Sequence, residues 1–174
     1  MKNMEKFIKQ GLILALGLLI SVGVFAQDKP SPAKTTTAEV AGTTVTVNYS
    51  SPGVKGRTIY GDLVPYGKTW RAGANEATTV EVSKAIKVEG EVLAAGKYAL
   101  FTIPGEEEWT IIFNSVPDQW GAYNHDPAKD VLRVTVTPKK SSEMYERLAY
   151  EVNGNTLSLI WENLEVPVAL ATAE

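Results

Sequence analysis

Leu148-Ala149-Tyr150-Glu151-Val152-Asn153-Gly154-Asn155-Thr156-Leu157-Ser158-Leu159-Ile160-Trp161 is the stretch whose reading decides the fold. Two strand-like runs, 148–152 and 156–161, flank Asn153-Gly154. That dipeptide is the strongest hairpin signal in the chain, because a type I′ turn needs positive φ at both central positions. Moving outward, the same texture recurs. Thr44–Tyr49 alternates with Val45, Val47 and Tyr49 on one face, and Lys34–Val40 is placed to pair with it across Ala41-Gly42. Thr78–Ser83 alternates with Val80 and Val82 inward, and Ile86–Val88 and Val92–Leu93 flank Gly90 as a hairpin. Tyr98–Ile103 and Trp109–Asn114 are apolar on both faces, which predicts central strands. Val131–Thr137 follows, and Leu164–Leu170 makes a last strand that Pro167 marks as an edge. Ser141–Arg147, with Ser142 as N-cap, is the one predicted helix. About nine short strands at this spacing predict an all-β single domain: an antiparallel, jelly-roll-like β-sandwich with one short helix and a barrel as the alternative.

Residues 1–26 read as a secretory signal peptide. Lys2, Lys6 and Lys9 precede an uncharged apolar run from Leu12 to Phe25, and Val24-Phe25-Ala26 offers a cleavage site. Cleavage leaves 148 of the 174 residues, enough for one domain, and shifts the net charge from −3 to −5 by removing three Lys and one Glu. The product is expected to be soluble and extracytoplasmic, periplasmic or secreted, without membrane insertion. Its mild acidity offers no basic patch for nucleic acid. With no cysteine, lipid attachment to an amino-terminal Cys, disulfides, thiol catalysis and thiolate metal sites are excluded. Residues 27–33, with Pro30 and Pro32, read as a short flexible arm before a domain over 34–170.

The 50–77 stretch breaks the strand pattern, and its many aromatics argue for a structured, functional loop rather than disorder. It carries Ser51-Pro52-Gly53-Val54-Lys55-Gly56-Arg57, Leu63-Val64-Pro65-Tyr66-Gly67 and Trp70-Arg71-Ala72-Gly73-Ala74-Asn75-Glu76-Ala77-Thr78. Together with Ala95-Gly96-Lys97-Tyr98-Ala99-Leu100-Phe101-Thr102-Ile103-Pro104, Trp109–Asn114 and Trp120-Gly121-Ala122-Tyr123, these blocks closely resemble a family of exported bacterial proteins. That family is catalogued as a domain of unknown function, numbered twenty-nine eleven. The resemblance covers about residues 34–170. It implies export and no particular activity, and the family often has an aromatic where this chain has His125.

The candidate ligand-binding residues are Arg57, Tyr66, Trp70, Arg71, Asn75, Glu76, Trp120 and His125. Arg offers a bidentate fork to carboxylate, phosphate or sugar hydroxyls, Trp a stacking face, and Asn and Glu polar orientation. The competing reading is structural: Arg71 and Glu76 form a buried pair beside Trp70 that braces a loop packed as one unit over 57–76. His125, the only histidine, reads as an exposed loop imidazole rather than a general base, since base function needs an oriented nucleophile. One histidine cannot build the usual multi-histidine metal site. Asn124, Asp126 and Asp130 do not match calcium-loop spacing, and no cofactor is implied. The favoured function is a non-catalytic binding module for a small polar ligand, a glycan or an envelope protein. The alternative is a carboxylate-dependent hydrolase using Glu76 with Asp62 or Asp126.

Overall fold

The structure is a computed structural model that describes residues 30–173. Residues 1–26, expected as a signal peptide, and residues 27–29 of the expected arm therefore lie outside the described residues. The architecture is two packed antiparallel sheets. The larger runs β1 (Ala33–Val40), β2 (Thr43–Ser50), β3 (Thr78–Val82), β6 (Gly96–Ile103), β7 (Trp109–Asn114) and β8 (Asp130–Val136), in that order. The smaller runs β5 (Glu91–Leu93), β4 (Ile86–Val88), β10 (Thr156–Thr172) and β9 (Lys139–Asn153). The chain leaves the larger sheet twice, after β3 for the β4–β5 hairpin and after β8 for β9 and β10, and the long 50–77 segment joins β2 to β3. Two hairpin turns show why the sequence folds this way: Ala41-Gly42 (φ 51° and 75°) and Glu89-Gly90 (φ 49° and 89°) have the paired positive φ of type I′ turns.

The core lies between the sheets. Val45, Val47 and Tyr49 face it from β2, opposite Leu148, Tyr150, Leu157, Leu159 and Trp161 from β9 and β10. Tyr98, Leu100, Phe101, Ile111, Phe113, Val134, Leu157, Leu159 and Trp161 are all buried. A second, smaller cluster of Ala77, Ala99, Phe101 and Ile112 sits on the outer face of the larger sheet, with Ala122 packed on it. That cluster explains why β6 and β7 are apolar on both faces. The 115–129 loop covers the central strands from outside.

Three sequence expectations are corrected. Ser141–Arg147 is not a helix but part of edge strand β9, where Tyr145 pairs with Glu162 and Lys140 with Leu164. Its Ser, Glu and Met favour a helix only weakly, and tertiary pairing overrides them. The hairpin after Val152 turns at Gly154-Asn155, one residue later than expected, since Asn153 pairs with Thr156. Within that turn only Gly154 has positive φ, which is the pattern of a type II′ turn. The last two predicted strands are one strand, β10, kinked where the register shifts around Glu162 (φ 57°). Although β10 lies between β4 and β9, Pro167 falls between its pairing with β9, which ends at Glu165, and its pairing with β4, which begins at Leu170. The proline is thus accommodated at a locally unpaired stretch. Among the described residues no helix is long and apolar enough to cross a membrane.

Candidate functional site

The 50–77 segment is ordered by backbone bonds to three places. Val54 N donates to Glu146 O at 2.7 Å, Trp70 N to Thr102 O at 2.7 Å, and Ala77 N to Gln119 O at 2.9 Å. Between these anchors the chain turns sharply through Ala72 (φ 54°) and Asn75 (φ 58°). An alanine in left-handed backbone costs about 1–2 kcal/mol, and such strain persists where the surroundings over-determine it, commonly at functional sites. Here the Ala72 carbonyl is clamped by Thr78 Oγ1 at 2.9 Å and Tyr150 Oη at 2.8 Å, both donating. Gly73 next to it has no room for a side chain, because a Cβ would lie 2.8 Å from Thr78 Oγ1 and 3.1 Å from Ser50 O.

This strained turn forms one wall of a cleft of about 290 Å³ lined by Arg57, Trp70, Arg71, Asn75, Leu63 and Trp161, among others. Trp70 stacks on the buried Trp161 with ring centroids 6.0 Å apart and planes at 16°. Outside the cleft lining, Trp109 packs edge-on to Trp70 at 6.3 Å, and Tyr60 edge-on to Trp109 at 5.4 Å and to Trp161 at 6.4 Å. Burial pushes the Tyr60 hydroxyl well above its ordinary pKa, aided by nearby Glu162 and Tyr66, so it stays neutral. Arg57 is tethered to the backbone, its Nε donating to Val54 O at 3.1 Å and its Nη2 to Gly53 O at 2.6 Å. Asn75 Nδ2 donates to Ser50 Oγ at 3.2 Å and Ser31 O at 3.4 Å. Arg71 differs from both. Its Nε is buried without an acceptor, and its side chain forms no hydrogen bond or ion pair among the described residues. Its Nη1 reaches toward Gly121, where a Cβ would come within 3.7 Å of it. Among the described residues, no acidic side chain lines the cleft. Its chemistry is therefore that of a small cationic recess over an indole.

The other candidates lie elsewhere. The expected Arg71–Glu76 pair is absent: the ion pairs among the described residues are His125–Asp130, Arg133–Asp130 and Lys139–Glu165. Asn75 and Glu76 are consecutive and point to opposite sides. Asn75 lines the cleft, whereas the exposed Glu76 lines a separate groove and bridges in antiparallel fashion to Trp120, which is 60% exposed. Tyr66 packs over Gly61, where a Cβ would lie 3.1 Å from its ring. The hydrolase pairing is not assembled either. Asp126 Oδ1 caps Ala128 N at 3.0 Å, and Asp62 sits exposed in the turn between Tyr60 and Val64.

His125 is not the exposed imidazole expected from its turn-rich loop; its side chain is only 5% exposed. The ring packs on Phe101 at 4.8 Å and its Nε2 meets Asp130 Oδ1 at 2.8 Å. Asp130 also accepts from Asn114 Nδ2 at 2.7 Å and, through Oδ2, from Arg133 Nε at 2.9 Å and Nη2 at 2.6 Å. Burial alone would raise the Asp130 pKa, but bonds from Asn114, His125 and Arg133 outweigh it and hold the carboxyl below its ordinary value. Asn114 Oδ1 then accepts from Gln119 Nε2 at 3.1 Å. This network fastens the 115–129 loop to the sheet. Sequence reading missed Asn114, Gln119 and Arg133. The available signal was an Asn ending an otherwise apolar strand, a polar group that burial obliges to find partners.

Residues 31–170 match the model of a family described as Protein of unknown function (DUF2911). Neither the comparison with curated proteins nor that with solved structures finds a match.

Proposed function

The chain belongs to this family of unknown function, and we propose that it works outside the cytoplasm as a binding module for a small oxyanion, a carboxylate or a phosphate, held in the Arg57–Arg71 cleft. The observation that carries this reading is Arg71, whose guanidinium has a buried Nε and no acceptor among the described residues. A buried donor left unsatisfied costs about 1–3 kcal/mol, more when charged. A carboxylate or a phosphate offsets that cost by accepting from the guanidinium through two of its oxygens. Arg57 adds a second positive charge, and its two backbone bonds fix its position before any ligand arrives. The half-buried Trp70 offers a face for whatever carbon skeleton bears the anion. Export rests on the signal-like residues 1–26.

A thermal-shift series with inorganic phosphate, sulfate and succinate, each against chloride at matched ionic strength, tests the proposal. A ligand at about 100 times its Kd stabilises by about 2.7 kcal/mol. At least one of the three should raise Tm, and Arg71→Met and Arg57→Met should each abolish the rise. Equal shifts in wild type and both variants would remove the cleft from the account.

A further inference from the structure

Across the Asn75–Glu76 segment from the cleft lies the roomier groove, about 420 Å³, on the outer face of the larger sheet. Its walls are the start of β1, the end of β2, Glu76 to Thr79, and Pro117–Gln119 of the covering loop. We propose that this groove is a second site, one that binds a neutral saccharide, with a sugar ring on Trp120 and its hydroxyls bonded to Glu76, Asp118 and Asn48.

The argument begins with Trp120. Directly opposed residues of an antiparallel bridge project to the same side, so the indole stands on the side of Glu76, next to the groove lined by Glu76 and Gln119 rather than within its lining. It is 60% exposed although its backbone is held firmly. Gly121 N donates to Asn75 O at 3.1 Å and Ala77 N to Gln119 O at 2.9 Å. The Asp130–Asn114–Gln119 network fixes the loop from below. A large indole held in the open by so many bonds contributes little to the core, and its flat apolar face suits the C–H face of a pyranose.

The polar side chains among the lining suit the hydroxyls. Each sugar hydroxyl both donates and accepts, so its site needs both kinds of partner. Glu76 and Asp118 supply carboxylate acceptors, and neither is engaged in an ion pair among the described residues. Asn48 Oδ1 is occupied by Thr35 Oγ1 at 2.7 Å, which orients its amide NH₂ as a donor. Lys34 supplies a further donor and offsets part of the acidic charge. Two carboxylates against one lysine disfavour an anion here, in contrast to the cleft. The two sites therefore differ in both charge and ligand class.

The four tryptophans make the test direct. Trp109 and Trp161 are 1% exposed and Trp70 is half-buried, so acrylamide quenching of the processed chain reports mainly Trp120. Quenching is measured with hexamers of glucose (β-1,4 and α-1,4), of N-acetylglucosamine and of mannose, and with spermidine as a cationic control. At least one hexasaccharide should lower the quenching constant about twofold, and Trp120→Phe should remove most of the signal. Glu76→Gln combined with Asp118→Asn should weaken that binding about tenfold or more, the loss of one to two hydrogen bonds at 1.4 kcal/mol per decade. The same double variant should respond to phosphate as wild type does, which separates failure here from failure of the cleft. The proposal is overturned if no hexasaccharide protects, if protection survives undiminished in the double variant, or if spermidine alone protects.

Discussion

Replacing Arg71 with Met asks whether this guanidinium is held for binding or for bracing the fold. Methionine keeps the apolar stem and ends about where Nε stands. What it deletes is a charged group whose Nε is buried without an acceptor, with no carboxylate paired to it among the described residues. Leaving such a donor unsatisfied costs about 1–3 kcal/mol, so the ligand-free variant should recover part of that. The expected change is from neutral to about 2 kcal/mol more stable, and each kcal/mol is worth about 2–4 °C in Tm for a domain near 150 residues. Glu76→Gln removes an exposed charge and should stay within about 0.5 kcal/mol of wild type. Because the two residues point to opposite sides of their segment, the double variant should be additive to within about 0.5 kcal/mol. Urea unfolding in chloride buffer free of phosphate, sulfate and carboxylates, with the m-value checked for constancy, gives all four stabilities. The reasoning is refuted if each single change costs about 3–5 kcal/mol and the double variant recovers part of it, the signature of a broken buried ion pair.

Asp130→Ala should cost about 3–5 kcal/mol, since it strands a 5%-exposed His125 and the buried Asn114 amide; the half-exposed Arg133 adds little after solvent screening. Because the Asp130 pKa is depressed in the folded state, its contribution is complete above the unfolded carboxyl value of about 4 and is lost as pH falls through the lower folded value. Tm measured against pH should therefore show an acid limb that Asp130→Asn flattens. At the other end, burial raises the Tyr150 hydroxyl pKa, so the folded state retains a proton the unfolded chain loses and stability should decline as pH rises past about 10. Tyr150→Phe should cost about 1–2 kcal/mol in urea at neutral pH, the loss of a buried 2.8 Å bond to Ala72 O, and should soften that alkaline decline. Phe113→Ala, at a ring 2% exposed and edge-on to Tyr98 at 6.4 Å, should cost about 3–5 kcal/mol by the same assay.

Strands were legible wherever alternation and turn chemistry agreed. β7 spans the predicted Trp109–Asn114, and Gly90 marks a hairpin as expected. Reading failed where partners distant in sequence decide the outcome. The 141–147 segment is a strand because β10 lies alongside, and nothing local announces it. The candidate site was legible as composition and not as geometry. Arg57, Trp70, Arg71 and Asn75 do converge on one cleft, but Glu76 does not join them. Left-handed turns at Ala72 and Asn75 set which side each residue faces, and an alanine gives no sign of positive φ. The His125 network was hidden for a related reason. It forms only because the β7–β8 register sets Asn114 opposite Asp130, bringing a strand end and a loop together across 16 residues of chain.

Calorimetric titration of inorganic phosphate, and separately of succinate, into the processed wild-type chain and into Arg71→Met tests the oxyanion cleft most directly. The account predicts saturable heat at one site per chain for at least one of the two anions in wild type, and none in the variant under identical conditions. Indistinguishable isotherms from the two proteins, or no heat from either anion in wild type, would contradict it.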